Sequence, residues 1–406
     1  MKICLVSAEY PPMQGGVGDC TRELARAMLE LGHNVLVLTS RKATGEVHPT
    51  HVTAREPALF PLVDNWNWGC WSAVLSMLRS ERPDVLNVQY QTAAYGMHPA
   101  INLLPWRLKR STRRPVVVTT FHDLRLPYLF PKAGAVRRWV TNALVLWSDA
   151  AIATNTEDLK ALGQVHRSWF APWPQRYLVP IGSNIRPVPP AGYARTQWRT
   201  GLGVSADELL LCYFGFLNQS KGGDVLIRTL AELVQRKRKA KLLMVGGEVG
   251  DSDPTNVAYA GYIHRLASEL GVSDQVIWTG YSASEVVSAN LLAADVCLLP
   301  YRDGVSFRRG SLMAALAHGL PIVSTEPGAP VEGLANGENI LLVPADDVSG
   351  AADAVERLGQ SPDLRARLGR GALELAHQFG WPGIAARTVE IYEDLLCSRD
   401  NPLGAS

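Results

Sequence analysis

The sequence predicts an α/β protein of two domains, each a parallel sheet flanked by helices. Three observations predict it. Short apolar runs of strand length alternate with amphipathic segments of helical length, as in sheets whose strands are buried on both faces. That rhythm breaks at "LVPIGSNIRPVPPAGYA", where Pro187, Pro189 and Pro190 precede Gly192, the punctuation of a linker. The rhythm then starts again. The expected organisation is a first domain over 1–185, a linker over 186–200, a second domain over 201–381 and a terminal helix over 382–406.

Lys2 to Ser7 reads as the first buried strand. "PPMQGGVGD" breaks it; Leu24, Met28 and Leu31 follow at helical spacing, and Gly32 ends that helix. "NVLVLTS" is the second strand. "DVLNVQY" and "PVVVTTFHD" are the next two, before a helix over 134–147 and the strand "AAIATN". After the break come the strand "LLLCYFGF", a helix over 223–236, "AKLLMVGG", a helix over 255–270, "QVIWTG", a helix over 283–293 and "DVCLLP". An alanine-rich helix starts near Gly310 or Ser311, followed by "PIVST" and "NILLV". Ile384, Thr388, Ile391 and Leu395 share one face of a closing amphipathic helix.

Composition bounds the function. The 406 residues are 47% hydrophobic and 19% charged, which suits a globular chain with a large core. A net charge of +2 gives no footing for nucleic-acid binding. Cys4, Cys20, Cys70, Cys212, Cys297 and Cys397 are scattered, with no C-x-x-C pair. They read as small hydrophobes in a reducing compartment, with neither a zinc site nor a disulfide framework. The apolar run after Lys2 is too short for a signal peptide and no stretch is long enough to span a bilayer. The expectation is a cytoplasmic protein with no metal and no nucleic-acid partner.

Ligands of open α/β sheets sit beyond the carboxyl ends of the strands, and three loops there suit an anion. In "QGGVGD", Gly15, Gly16 and Gly18 allow close backbone approach before a helix that Asp19 or Thr21 caps. Thr21 replaces the last glycine of a dinucleotide fingerprint and "LTSR" brings no acid for a ribose, which weakens a nicotinamide reading. In "GFLNQSKGGD", Lys221 falls between strand and helix, an ammonium beside free helix N–H groups. In "DGVSFRRGSLMAALAHGLPIVST", Arg308 and Arg309 stand just before a helix start, where cations are unfavourable unless an anion joins them. The plain alternatives are a tight turn, a solvated lysine and a pair of solvated arginines.

In this order and spacing the motifs "EYPPMQGGVGDCTRELARAMLELGHNV", "DVLNVQY", "TTFHDLR", "VPIGSN", "FGFLNQSKGGDVLI", "VIWTGY", "AADVCLLPYRDGVS", "ALAHGLPIVST" and "FGWPGIAARTVEIYEDLL" resemble the family 4 glycosyltransferases of the GT-B fold, from Met1 to about Leu396. The resemblance implies two Rossmann-like domains facing a cleft, with the terminal helix crossing back to the first. It implies retaining transfer of a sugar from a nucleotide-diphosphate sugar, without a cofactor or catalytic metal. The acceptor would be a glycan, a lipid-linked molecule or a small molecule. Lys221 matches the phosphate-binding lysine, Gly16 the backbone near the donor phosphates, and His122, followed by Asp123, the histidine near the transferred sugar. Asn218 lies in the lysine loop, and Tyr281 falls where backbone meets the base.

Two departures stand out. Alignment on Gly319 puts Ser306 and Ala314 where the family carries its E-x7-E pair, and Phe216 stands where many members have an arginine. Arg308 and Arg309, next to Phe307, then supply the lost charge, with the N–H groups of Gly310 and Ser311 completing a cradle. His122, Lys221 and Arg308 are the expected catalytic groups.

Front-face attack, with the leaving phosphate taking the acceptor proton, fits a site with no evident carboxylate nucleophile. Asp251-Ser-Asp253 reads as a turn, His318 as a helix-end group and "QRKRKAK" as a solvated helix end. "LPWRLKRSTRR" and "VRRWVTNALVLW" suit contact with anionic lipid or, equally plainly, core tryptophans with surface arginines. "DNWNWGCW" lines an acceptor site or fills a core. Two rival functions are a non-catalytic nucleotide-sugar-binding protein, motivated by Ser306 and Ala314, and a nicotinamide-dependent oxidoreductase.

Overall fold

Two parallel sheets carry the chain, one of seven strands and one of six. The computed structural model describes residues 1–43, 56–111, 113–124, 134–165, 174–247 and 255–400. The chain divides into two compact units, Met1–Gly182 with Trp381–Ser406, and Ser183–Gly380.

The first unit runs β1 (Lys2–Ser7), α1 (Gly16–Glu30), β2 (Asn34–Ser40), β3 (Ala58–Val63), α2 (Cys70–Glu81), β4 (Val85–Gln91), α3 (Leu104–Leu108), β5 (Val116–Asp123), α4 (Gly134–Trp147), β6 (Ala150–Ala153), α5 (Thr156–Gly163) and β7 (Gln175–Leu178). The strand order is β3-β2-β1-β4-β5-β6-β7. β1 pairs in parallel with β2 from Lys2 opposite Asn34, and with β4 from Ile3 opposite Val85. The sequence therefore reverses direction across the sheet between β1 and β4, which opens a crevice at their carboxyl ends. Ile3, Leu5, Val35, Val37 and Val88 are fully buried, each worth about 1.5–3 kcal/mol relative to exposure.

The expected strands and helices of this unit form, and five further elements join them: β3, α2, α3, α5 and β7. β3, "ALFPLV", holds Pro61, a residue that argues against a strand. It survives as the edge strand, where a missing N–H removes no ladder bond on the open side. β7 is four residues, the opposite edge, and half exposed, so it lacks an apolar run. α2 grows from the tryptophan stretch: Trp66 is buried, Trp68 is exposed, and the Trp71 indole N–H donates to the Ala100 carbonyl.

The second unit runs α6 (Arg195–Gly201), β8 (Leu209–Phe214), α7 (Gly223–Gln235), β9 (Ala240–Val245), α8 (Thr255–Glu269), β10 (Val276–Trp278), α9 (Ser284–Ala293), β11 (Val296–Leu299), α10 (Gly310–Ala317), β12 (Ile322–Thr325), β13 (Leu341–Val343), α11 (Val348–Gln360) and α12 (Pro362–Ala376). Its order is β10-β9-β8-β11-β12-β13, all parallel, with the reversal between β8 and β11. The stretch expected to link domains contains the start of α6, whose Arg199 is buried and bonded to Asp295 at 2.9 Å. The basic run after α7 is ion-paired rather than simply solvated: Arg236 meets Asp353 at 2.6 Å and Glu356 at 3.1 Å on α11.

The last helix, α13 (Trp381–Asp400), belongs to the first unit. Its buried face holds Ile384, Thr388, Ile391 and Leu395 as the periodicity predicts, and the Asn87 side-chain amide on β4 donates to the Tyr392 hydroxyl. α13 packs on α1 and β5.

Candidate active site

In the first unit the glycine loop leads from β1 into α1. Neither Asp19 nor Thr21 caps that helix. Glu9 does: its carboxylate accepts from the backbone N–H of Val17 at 3.0 Å and of Gly18 at 3.4 Å, while Thr21 donates back to the Val17 carbonyl at 2.7 Å. The glycines thus divide. A Cβ on Gly15 would lie 2.1 Å from the Glu9 carboxyl, and one on Gly18 would lie 2.9 Å from the Glu9 carbonyl oxygen. Both are fixed by packing against Glu9. Gly16 is exposed, with nothing within 4 Å of a Cβ, and its backbone is the part of the loop open to a ligand. Glu9 opens the motif before the prolines, six residues ahead of Gly15, and no local pattern marks it as the cap.

His122 ends β5. Its Nε2 is 2.8 Å from Oε1 of Gln89 on β4, and burial lowers its pKa from 6.5 to about 4. A neutral imidazole at working pH is therefore the resident form. Gln89 was not singled out in the sequence, where it sits in an ordinary strand pattern. Asp123 follows on the same strand end.

In the second unit two loops meet at the β8/β11 reversal. Adjacent strands bring them there: Cys212 on β8 lies opposite Cys297 on β11. Arg302 joins the loops, donating its backbone N–H to the Ser220 carbonyl at 2.9 Å and its guanidinium to the Gln219 carbonyl at 3.0 Å and to Asp224 at 2.7 Å. Gly222 has φ +67, and a Cβ there would lie 2.2 Å from the Pro300 carbonyl oxygen, so only glycine lets the lysine loop sit so close to the end of β11. The Asn218 side chain accepts from the backbone N–H of Lys221 at 3.1 Å, which shapes that loop.

Lys221 Nζ donates to the Phe216 carbonyl at 2.9 Å, an oxygen that also accepts from the Tyr213 hydroxyl at 3.0 Å. Burial, and then the charge of Arg309, lowers the lysine pKa from 10.5 to about 7. Phe216 thus contributes its backbone, while the cation facing the lysine comes from Arg309.

The two arginines at the α10 entrance are not solvated. Both donate to Asp303, Arg308 at 2.7 Å and Arg309 at 2.6 Å. The Arg308 side chain is 6% exposed and is held by Asp303. Arg309 lies 4.9 Å from the Tyr301 ring centroid, and its Nε is buried with no partner among the described residues. Ser306 Oγ is likewise buried and unpartnered. Unsatisfied buried donors call for an explanation; here they stand next to the helix start at Gly310, whose Cβ position is open, and Ser311, whose hydroxyl is 2.6 Å from that of Tyr301. Among the described residues, no acceptor is bonded to the backbone N–H groups of Gly310 and Ser311. The arrangement can hold a dianion between one tuned ammonium, one guanidinium and a helix N-terminus.

Other expectations separate. Ala314 is fully buried within α10 and offers no surface to a ligand, so it is withdrawn as a contact. Phe307 packs its ring 4.6 Å from that of Phe379, a packing rather than a binding role. Tyr281 is 65% exposed. His318 donates from Nδ1 to the Ala314 carbonyl at 2.7 Å, a helix-end contact. Asp251-Ser-Asp253 lies outside the described residues, and among those described no cluster of His, Cys, Asp or Glu could hold a metal. No described helix is long and apolar enough to cross a membrane.

Comparison with known proteins gives the family and the fold. Residues 14–171 match the family model "Glycosyltransferase Family 4" and residues 208–361 match "Glycosyl transferases group 1". The D-inositol 3-phosphate glycosyltransferase of Corynebacterium efficiens is 30% identical over 300 residues, 71% of this chain and 68% of its own. That of Thermobispora bispora is 26% identical over 100% of this chain and 98% of its own. The structure of Anabaena HepE in complex with UDP-glucose superimposes with a TM-score of 0.75 over 97% of this chain and 100% of that one, at 17% identity. The oxidoreductase alternative is thereby set aside. The chain belongs to the group 1, family 4 glycosyltransferases and has the GT-B fold.

Proposed function

We propose that this glycosyltransferase transfers a sugar with retention from a nucleoside-diphosphate sugar, and that its second unit holds the diphosphate through Lys221, Arg309 and the N-terminus of α10. One observation carries the reading: a lysine with its pKa lowered to about 7 and an arginine with an unpartnered Nε converge on an open helix start at the sheet's topological switch point. With Asp303 neutralising one of the two arginines, Lys221, Arg308 and Arg309 carry two surplus positive charges, which matches a diphosphate diester.

As the glycosidic bond breaks, negative charge grows on the departing phosphate. Cations and N–H groups already in place stabilise it without reorganisation. The leaving oxygen takes the acceptor proton on the same face, and no step calls for a metal. Ser306, aligned on Gly319 with the first glutamate that the family resemblance implies, offers its hydroxyl to the donor sugar. The acceptor is a glycan, a lipid-linked molecule or a small polyol. Inositol phosphate belongs in any first panel, because the inositol 3-phosphate glycosyltransferases are the relatives described above.

The basic, tryptophan-bearing segment supports contact with an anionic membrane. Arg110 covers Trp106 at 4.0 Å and Lys109 lies 5.4 Å from Trp147, while Trp139 stands 63% exposed. Binding to vesicles containing anionic lipid, lost in high salt and in Trp139→Ala, is the expected result; equal sedimentation with neutral vesicles contradicts it.

A panel of UDP-, GDP- and TDP-sugars, read by thermal shift and by release of nucleotide, tests the function. Turnover of at least one donor is expected. Binding without any turnover supports the non-catalytic reading that Ser306 motivates, and no binding at all contradicts both.

A further inference from the structure

Gln89 is 1% exposed and lies on β4, next to the strand that ends in His122. Its side chain is only half satisfied. Oε1 faces His122 Nε2 at 2.8 Å, whereas its Nε2 is buried with no partner among the described residues. A glutamine serving the core alone would bond through both ends or give way to an apolar residue of the same size. This one keeps a buried amide group unpaired while spending its oxygen on the histidine. An arrangement that breaks a packing rule beside a reacting group points to function.

We propose that Gln89 is a positioning residue: it accepts the Nε2–H of His122 and so presents the Nδ1 lone pair of a neutral imidazole to a sugar hydroxyl. The inference rests on the proposed function and on the family resemblance, which implies that His122 lies near the transferred sugar. With the proton fixed on Nε2, Nδ1 can only accept. His122 then orients a hydroxyl rather than delivering a proton.

The groups around the ring favour this uncharged state. The small cavity that Gln89 and His122 share is walled by Cys20 from α1, Thr120 from β5, Thr154 after β6, and Trp381 and Thr388 from α13. The Cys20 thiol is the titratable group among those walls, and Asp123, next in the chain on β5, is the nearest carboxylate in sequence. Burial alone accounts for the lowered histidine pKa.

The test is 15N spectroscopy of the histidine rings in the full chain, with His122 assigned through His122→Phe. The wild type should show one tautomer, protonated at Nε2, with no titration through neutral pH. Gln89→Leu should lose that single tautomer. Gln89→Glu places a carboxylate on the Nε2–H, so the ring should stay charged into the neutral range. In turnover assays, Gln89→Glu should lower kcat at least tenfold at acid pH and regain it as pH rises and the imidazolium deprotonates, with KM for the donor little changed. An Nδ1-protonated ring in the wild type, or an unchanged tautomer in Gln89→Leu, overturns the proposal. If no nucleotide sugar is turned over, the proposed function fails, while the spectra still decide the role of Gln89.

Discussion

Arg308 and Arg309 are neighbours in sequence that do different work. Arg308 is buried against Asp303, and removing one partner of such a pair typically costs ~3–5 kcal/mol. Arg308→Ala should therefore lower the melting temperature markedly. Arg309→Ala breaks a pair with Asp303 as well and should in addition weaken nucleotide binding, because charge-assisted bonds to an anion contribute ~1.5–3 kcal/mol each. Equal effects of the two substitutions on nucleotide binding would refute this division. Lys221 adds a pH signature. Its pKa of about 7 lies below its unfolded value of 10.5, so above neutrality the free chain holds it uncharged. A nucleotide sugar, whose diphosphate does not titrate there, should pull a proton onto it. Calorimetry in buffers of different ionisation heat should find proton uptake approaching one at pH 8 and vanishing near pH 6. Affinity should fall as pH rises above about 7, and Lys221→Met should abolish both trends.

At the scale of elements, α1 and α10 both begin at sheet crevices but differ in their capping. The N-terminus of α1 is occupied by the Glu9 carboxylate, and that of α10 carries no side-chain cap. Gly15→Ala would drive a methyl into Glu9, so it should cost about the same as losing the cap in Glu9→Ala, ~0.5–2 kcal/mol. The double variant should cost no more than either alone, since both break one contact. Additive losses in chemical denaturation would disprove the capping role. The elements themselves were largely legible in the sequence, because period and punctuation mark buried strands such as Ile3–Val6 and Leu210–Tyr213. What escaped was set by context. β3 tolerates Pro61 only because it is an edge, and β7 is too short and exposed to carry a pattern. The lysine and both arginines were visible as charges at loop positions. Their pairing was not: Asp303 as shared counter-ion, Glu9 as cap and Gln89 as the histidine's partner depend on contacts that no local pattern encodes.

At the scale of the whole molecule, each unit is a parallel sheet whose strand order reverses once, and at each reversal a glycine-bearing loop leads from a strand into a helix. The terminal helix ties the chain's last residues to its first sheet through Tyr392 and Asn87. Tyr392→Phe strips a buried amide of its partner and should destabilise the first unit by ~1–3 kcal/mol, while nucleotide binding by the second unit stays unchanged. A loss of nucleotide affinity in Tyr392→Phe would show that the units do not bind independently. The account's central claim is that the diphosphate sits between Lys221, Arg309 and the start of α10. The most direct measurement is calorimetric titration of UDP, GDP and TDP into wild type, Lys221→Ala, Arg309→Ala and Arg308→Lys. Saturable binding of at least one nucleotide is expected, falling ten- to a hundredfold in the first two variants and persisting in the third; unchanged affinity in Lys221→Ala and Arg309→Ala would contradict that placement of the diphosphate.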